Sequence, residues 1–225
     1  MTKATVDVDE VLKKLASEAV KQGDNLRTNV RDLTLRALQT RELSLTQIRQ
    51  VLKSVATGVN LGAAKAKIDV EKPLADALAG MDDALLKAVQ ASHIALQQLT
   101  DHGLDFKDSK FKKAVSDLEK LEDEFLKTVK ETAESAAKPL RAQWSGVLQQ
   151  MQPGATETGA QVDAVMQEIS EHMRTALRRQ REANVKAAHV LAKNFGTLAS
   201  GVLIGISEGM QQQPSGARNK TDTTA

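Results

Sequence analysis

The sequence contains no cysteine and no tyrosine, and four phenylalanines and one tryptophan are its only aromatic side chains. The absence of cysteine excludes disulfides, thiolate nucleophiles and cysteine-ligated metals. Alanine, leucine, valine, glutamine, lysine and glutamate dominate instead, and most of these side chains lose little rotamer freedom in a helix. The composition therefore predicts an all-α fold and argues against a β-rich one.

The chain also lacks a long apolar run and a strong excess of one charge. Its 31 Lys and Arg against 29 Asp and Glu give a net charge of +2, which argues against nucleic acid as a partner. Its most apolar stretch, residues 195–206, is shorter than the roughly 20 residues that span a bilayer. The polar, acidic start does not resemble a secretory signal. We expect a cytoplasmic protein, either free or peripheral on a granule or membrane surface.

Local signals predict several capped helices in the first hundred residues. Asp7 or Asp9 can cap a first helix that stops at Gly23. Ser44 followed by Gln47 forms a capping box for a later helix. Pro73 suits the first turn of a further helix, which we expect to end near Asp101.

Two much longer helices are predicted after these, over about 109–151 and 158–211. Apolar residues recur about every 3.6 to 3.7 residues along both segments, which predicts nearly straight helices. Pro139 removes one backbone hydrogen bond and should kink or split the first of them. The predicted fold is thus a helical bundle with a long antiparallel C-terminal hairpin and shorter N-terminal helices. We divide the chain into a short-helix region (1–104), the hairpin (105–211) and a disordered tail (212–225).

A small-residue motif of the form A-[ST]-G-V-x-[LI]-G occurs twice, at residues 56–62 and 199–205. The two copies indicate either an old duplication or two helices that share one packing mode. Glycines at helical spacing let two helix backbones touch without intervening side chains. The glycines assigned to helix packing or oligomerisation are Gly58, Gly62, Gly201, Gly205 and Gly209. We accordingly expect a homo-oligomer.

No recognisable catalytic or cofactor-binding motif is present. The sequence has no phosphate-binding glycine loop and no G-x-S-x-G elbow. Glu168 and His172 stand four residues apart, as in metal sites of helical bundles, but no second Glu-x-x-His completes such a site. The acidic connection 101–108 lacks the residue order of a calcium loop. We therefore predict no catalytic residue, no cofactor and no metal, and a protein that is not an enzyme.

One basic group on the last helix is a candidate contact for an anionic partner. Arg174, Arg178 and Arg181 are three or four residues apart and share a helix face. They could hold lipid head groups, phosphates or an acidic protein. Pairing with nearby acids such as Glu171 or Glu182 is the simpler interpretation of the same residues.

The chain resembles the phasins in composition. The resemblance lies in the Ala- and Gln-rich helices from Phe111 to Gln211, the absence of cysteine, the scarcity of aromatic residues and the polar tail. Phasins coat bacterial polyhydroxyalkanoate granules. The resemblance implies a non-catalytic, self-associating amphipathic helical coat in a bacterial cytoplasm. It transfers no functional residue to this chain.

Three functions are compatible with these patterns. The first is a self-associating helical protein that binds an apolar or anionic surface, such as a granule or a lipid layer. Its apolar surface contacts would be Phe125, Trp144, Phe195 and Leu203. The second is a soluble scaffold or adaptor for a protein partner, and the third is a helical pore former whose glycine-rich segment inserts. The first hypothesis requires that the apolar sides of the long helices lack partners within the chain itself.

Overall fold

A computed structural model describes residues 7–41, 43–66, 70–101, 109–149, 156–179, 198–199, 201–204 and 206 of the chain. This part contains eight helices and no strand, which confirms the all-α prediction. The helices are α1 (Val8–Gln22), α2 (Leu26–Gln39), α3 (Leu45–Ala63), α4 (Glu71–Asp101), α5 (Ser109–Glu119), α6 (Leu121–Glu134), α7 (Lys138–Gln149) and α8 (Glu157–Arg179). The described residues between 198 and 206 are helical as well.

The predicted caps set the ends of the first helices. The Asp7 carboxylate accepts the backbone N–H of Asp9 at 3.0 Å, and α1 ends at Gly23, whose φ of 73° suits glycine. The hydroxyl of Ser44 accepts the backbone N–H of Gln47 at the start of α3. The N-caps at Asp7 and Ser44 and the stop at Gly23 are confirmed because each depends only on residues a few positions apart.

Helix α4 is the longest helix in the described part, at 31 residues. It carries Pro73 in its first turn and ends at Asp101, as predicted. It is longer than each of the three helices into which the first predicted long helix is divided, so the expected contrast in length does not hold for that segment. Buried residues recur along its whole length, from Leu74 to Leu99, so it runs through the core.

The segment predicted as one long helix from residue 109 is divided into α5, α6 and α7. Residues 135–137 separate α6 from α7, and Pro139 lies in the first turn of α7, so the predicted split is confirmed. A second break at Lys120 involves neither glycine nor proline. Helix α8 packs mainly on α4 and less on α5 and α6, so a simple two-helix hairpin is not what the described residues form. Residues 180–197 of the second predicted long helix lie outside the described residues.

One apolar core joins helices from both sides of the proposed boundary at residue 104. It contains Leu52 of α3, Leu85 of α4, Phe125 of α6, Trp144 of α7 and Val165 of α8. Helix α3 lies between α1 and α6, and nearly every residue from 51 to 63 is buried or half-buried. The first hundred residues therefore cover apolar sides of the later helices.

Candidate interaction site

The side chains predicted as apolar surface contacts are buried. Phe125 is 0% exposed, Trp144 is 1% exposed and Leu203 is 0% exposed, while Phe195 lies outside the described residues. Contact of the first three with an apolar surface would therefore require the core to open, and their role stays a prediction. The physical reason for their burial is that these large apolar groups find partners inside the chain, where burial lowers their free energy.

Asn60 joins three helices through two buried hydrogen bonds. The indole Nε1 of Trp144 on α7 donates to Asn60 Oδ1 at 2.6 Å. Asn60 Nδ2 in turn donates to the backbone oxygen of Thr132 on α6 at 2.8 Å. Because a buried polar group must find a partner, this network fixes α6 and α7 relative to α3.

The first copy of the small-residue motif packs against α1. A Cβ built on Gly58 would collide with the backbone oxygen of Lys13, and one on Gly62 would lie 2.7 Å from the backbone oxygen of Ser17. The two glycines thus allow the α1 and α3 backbones to touch within one chain. Whether they also act between chains stays a prediction.

The second copy of the motif has different surroundings. A Cβ on Gly201 would meet no atom within 4 Å, and this glycine is exposed. Gly205 and Gly209 lie outside the described residues. A glycine that the sequence analysis did not single out, Gly80 of α4, makes a close contact instead, with the backbone oxygen of Arg27 on α2.

The predicted anion-binding arginines cannot be placed. The side chains of Arg174 and Arg178 and all of Arg181 lie outside what the structure describes. The same holds for residues 102–108 of the acidic connection. Their proposed roles stay predictions.

Polar side chains meet where α8 crosses α4. His93 Nε2 lies 3.0 Å from Glu168 Oε2, and Gln97 Nε2 donates to Glu168 Oε1 at 2.5 Å. His172 Nε2 lies 3.9 Å from Glu168 Oε1. The sequence pattern showed the Glu168 and His172 pair but not His93, because His93 and Glu168 are 75 positions apart in the sequence.

The first turn of α8 is capped by α4 rather than by its own preceding residues alone. The Asp82 carboxylate accepts the backbone N–H groups of Glu157 at 2.9 Å and of Thr158 at 3.2 Å. The Thr158 hydroxyl also donates to the backbone oxygen of Asp82 at 3.1 Å. A carboxylate at a helix N-terminus accepts hydrogen bonds from free N–H groups and interacts favourably with the positive end of the helix dipole. This contact therefore stabilises the packing of α8 on α4.

An ion pair ties the start of α1 to the neighbouring elements. Arg41 donates to Asp9 at 2.6 Å, and Gln50 of α3 donates to the other carboxylate oxygen at 2.5 Å. Burial alone raises the pKa of Asp9, but the hydrogen bonds from Arg41 and Gln50 outweigh it and hold this pKa below its usual value. Asp9 is therefore charged at neutral pH and holds α1 at its N-terminal end.

The clearest exposed apolar feature is a row on α1, the α1 stripe, formed by Val8, Val11 and Leu15. Their exposed fractions are 50%, 39% and 45%. The spacing of three and four residues places them on one face, while Leu12 and Ala16 face the core. The sequence analysis did not single out this row. The signal for it was that Val11 and Leu12 are adjacent, so the apolar residues of α1 occupy more than one face of the helix.

Charges of both signs surround the α1 stripe. Asp7, Glu10, Lys14 and Glu18 are all exposed on the same helix. Such a surface can accept an apolar row of a partner with mixed charges around it. An anionic surface is a poorer match, because most of these four side chains are acidic.

Among the residues that the structure describes, no helix combines the length and the apolar character needed to cross a membrane.

The described part of the chain is thus all-α, with a shared core and an exposed apolar row on α1. The chain belongs to the family described as a family of unknown function, DUF6781, which matches residues 1–212. Comparison with curated proteins and with solved structures gives no match.

Proposed function

We propose that this chain is a non-catalytic helical protein that acts as a scaffold or adaptor and binds a protein partner through the α1 stripe. The observation that carries the proposal is the contrast between Phe125 and Trp144, which are buried, and the α1 stripe, which is not. Large apolar side chains exposed in a row on one helix face are typical of contact sites for another helix.

The charges around the stripe support a protein rather than a lipid partner. Exposed Asp7, Glu10 and Glu18 would be repelled by anionic head groups, and Lys14, together with the Lys13 that pairs with Glu10, offsets them only in part. A partner helix with apolar residues at matching spacing and charges at its rim fits this surface better. The stripe is small, so we expect it to be the centre of a larger contact.

Site-specific photo-crosslinking in cells tests the proposal. A photoreactive residue at position 11 should give an adduct of one discrete mass, and Leu15→Asp should abolish it. The matched control places the same residue at position 61, since Leu61 of α3 is exposed at 47%, against 39% for Val11, but lies outside the stripe. An adduct mass equal to two chains would identify the partner as a second copy. The same adducts at both positions, or none at position 11, would contradict the proposal.

A surface coat of the phasin type is the second candidate function. One observation favours it: Asp82 and Glu168 hold α8 to α4 through polar contacts that can exchange with water. A coat could form if α8 left α4 and presented Val165 and other core residues to an apolar surface. In this proposal α8 packs on α4 while the protein is in solution and separates from α4 when the protein binds the surface.

Cosedimentation with liposomes or polymer granules separates the two candidates. The coat predicts that the protein pellets with the particles and that the fluorescence of Trp144 changes as the core opens. The adaptor predicts that it stays in the supernatant at all protein-to-lipid ratios. Leakage of dye from the same vesicles would instead support the pore-forming hypothesis.

A further inference from the structure

Two imidazoles and a carboxylate line one small cavity between α4, α5 and α8. His93 comes from α4, and Glu168 and His172 come from successive turns of α8. The rest of the wall is formed by apolar Leu96, Phe111 and Ile169 and by polar Gln97 and Thr100. We propose that this cavity binds one zinc ion, which goes beyond the proposed function and does not depend on it.

The donor set suits zinc. Two histidine nitrogens and one carboxylate oxygen are the donors of many open zinc sites, in which a water fills the fourth position. Glu168 and His172 are four residues apart, so both can reach an ion on one side of α8. His93 supplies the third donor, which the sequence of α8 alone does not contain.

Two of the donor separations lie on either side of the value expected for a zinc centre. Bonds of about 2.0 to 2.1 Å in a tetrahedral arrangement put neighbouring donors about 3.3 to 3.4 Å apart. Here the Nε2 of His93 and Oε2 of Glu168 are 3.0 Å apart, and the Nε2 of His172 and Oε1 of Glu168 are 3.9 Å apart. No group of three such side chains in the described part is arranged to hold a metal ion as it stands. Binding therefore requires His172, whose side chain is 52% exposed, to turn towards Glu168.

The environment of His93 points to a missing partner. Its Nε2 is buried and has no hydrogen-bond partner, although the Glu168 carboxylate is within 3.0 Å. The carboxylate therefore lies off the direction in which the ring nitrogen bonds. An ion between the two groups would explain this, because two ligands of one metal point at the metal and not at each other.

A bound ion would clamp α8 to α4. Gln97 already donates to Glu168 and would hold the carboxylate in place as an outer partner of the ion. The ion would bind the folded chain more tightly than the unfolded one, so it would raise the thermal midpoint. The expected effect of the site is structural, on the attachment of α8.

Titration calorimetry of the full chain with Zn²⁺, and visible absorption with Co²⁺ as a spectroscopic substitute, test the proposal. We expect one ion per chain and a tetrahedral Co²⁺ spectrum. His93→Ala and His172→Ala should each weaken binding by about tenfold or more. His172 is half exposed, so its variant should fold even if His93→Ala does not.

The matched control replaces the other two histidines of the chain, His102 and His189, by alanine. This double variant should bind Zn²⁺ as the original chain does. The absence of stoichiometric binding, an octahedral Co²⁺ spectrum, or binding lost in the control and retained in His172→Ala would each overturn the proposal.

Discussion

The indole nitrogen of Trp144 donates a hydrogen bond of 2.6 Å to the side-chain oxygen of Asn60, across 84 residues of sequence. Both groups are buried, and Asn60 also donates to the backbone of Thr132. The contact fixes the position of α7 on α3. Since Asn60 belongs to the small-residue motif, that motif serves two neighbours: its glycines meet α1 and its asparagine meets α6 and α7.

Replacing Asn60 by alanine should lower the free energy of unfolding by about 1 to 3 kcal/mol, because Trp144 Nε1 would stay buried without its acceptor, whereas Thr132 O keeps the hydrogen bond from the Ser135 hydroxyl. Urea unfolding followed by the fluorescence of Trp144, the only tryptophan of the chain, measures the loss. The double-mutant cycle with Trp144→Phe isolates the contact, and all four proteins of the cycle are followed by circular dichroism because Trp144→Phe removes the fluorescent side chain. Strictly additive losses in that cycle would show that the two side chains do not interact.

Replacing the equivalent glycines of the two motif copies by alanine should change the free energy of unfolding in opposite directions. Gly58→Ala drives a Cβ into the backbone of Lys13 and should destabilise the protein, because backbone cannot yield as a side chain can. Gly201→Ala meets open space and should stabilise its helix by about 0.5 to 1 kcal/mol. Chemical unfolding of both variants measures the two changes. Equal effects would mean that the close contact of α1 and α3 is absent in solution.

Removing the carboxylate that caps α8 should loosen that helix selectively. Asp82→Ala deprives the Glu157 and Thr158 N–H groups of their acceptor, which should cost about 0.5 to 2 kcal/mol. Hydrogen exchange should then accelerate in α8 more than in α3. Asp76→Ala on the same helix is the control, since Asp76 pairs only locally with Lys72. Equal acceleration in both variants would contradict the capping role.

The ion pair of Asp9 predicts a specific pH dependence. Its pKa is lower in the folded than in the unfolded chain, so its contribution to stability is present above the ordinary value of 3.8 and is lost as the pH falls through the folded value. The stability difference between the original chain and Asp9→Asn should therefore shrink below about pH 4. Thermal midpoints from neutral to acid pH check this. A difference that stays constant down to the lowest pH would show that Asp9 does not titrate as proposed.

The sequence predicted the helices well where the signals were local. Asp7, Gly23, Ser44 and Pro73 each act on backbone groups within one turn, so their effect is independent of the rest of the fold. The break at Lys120 lacks such a signal and was missed. Its position depends on how α5 and α6 pack on other helices, which short-range patterns do not contain.

The candidate site was predicted less well than the fold. Periodicity correctly identified apolar residues such as Phe125 but could not tell whether a partner within the chain covers them. Conversely, Val11 and Leu15 follow the same helical spacing and remain exposed. Burial is decided by which helices become neighbours, and contacts such as His93 with Glu168 join residues far apart in sequence.

The shared core has a consequence for dividing the protein. A cut in the connection 102–108 would yield one piece with Asn60 and another with Trp144, and each would carry an uncovered apolar side. Neither piece should fold alone, yet the two supply each other's missing surface and should reassemble when mixed. The chain is thus suited to fragment complementation. Recovery of the native fluorescence of Trp144 on mixing would show that the two pieces have associated.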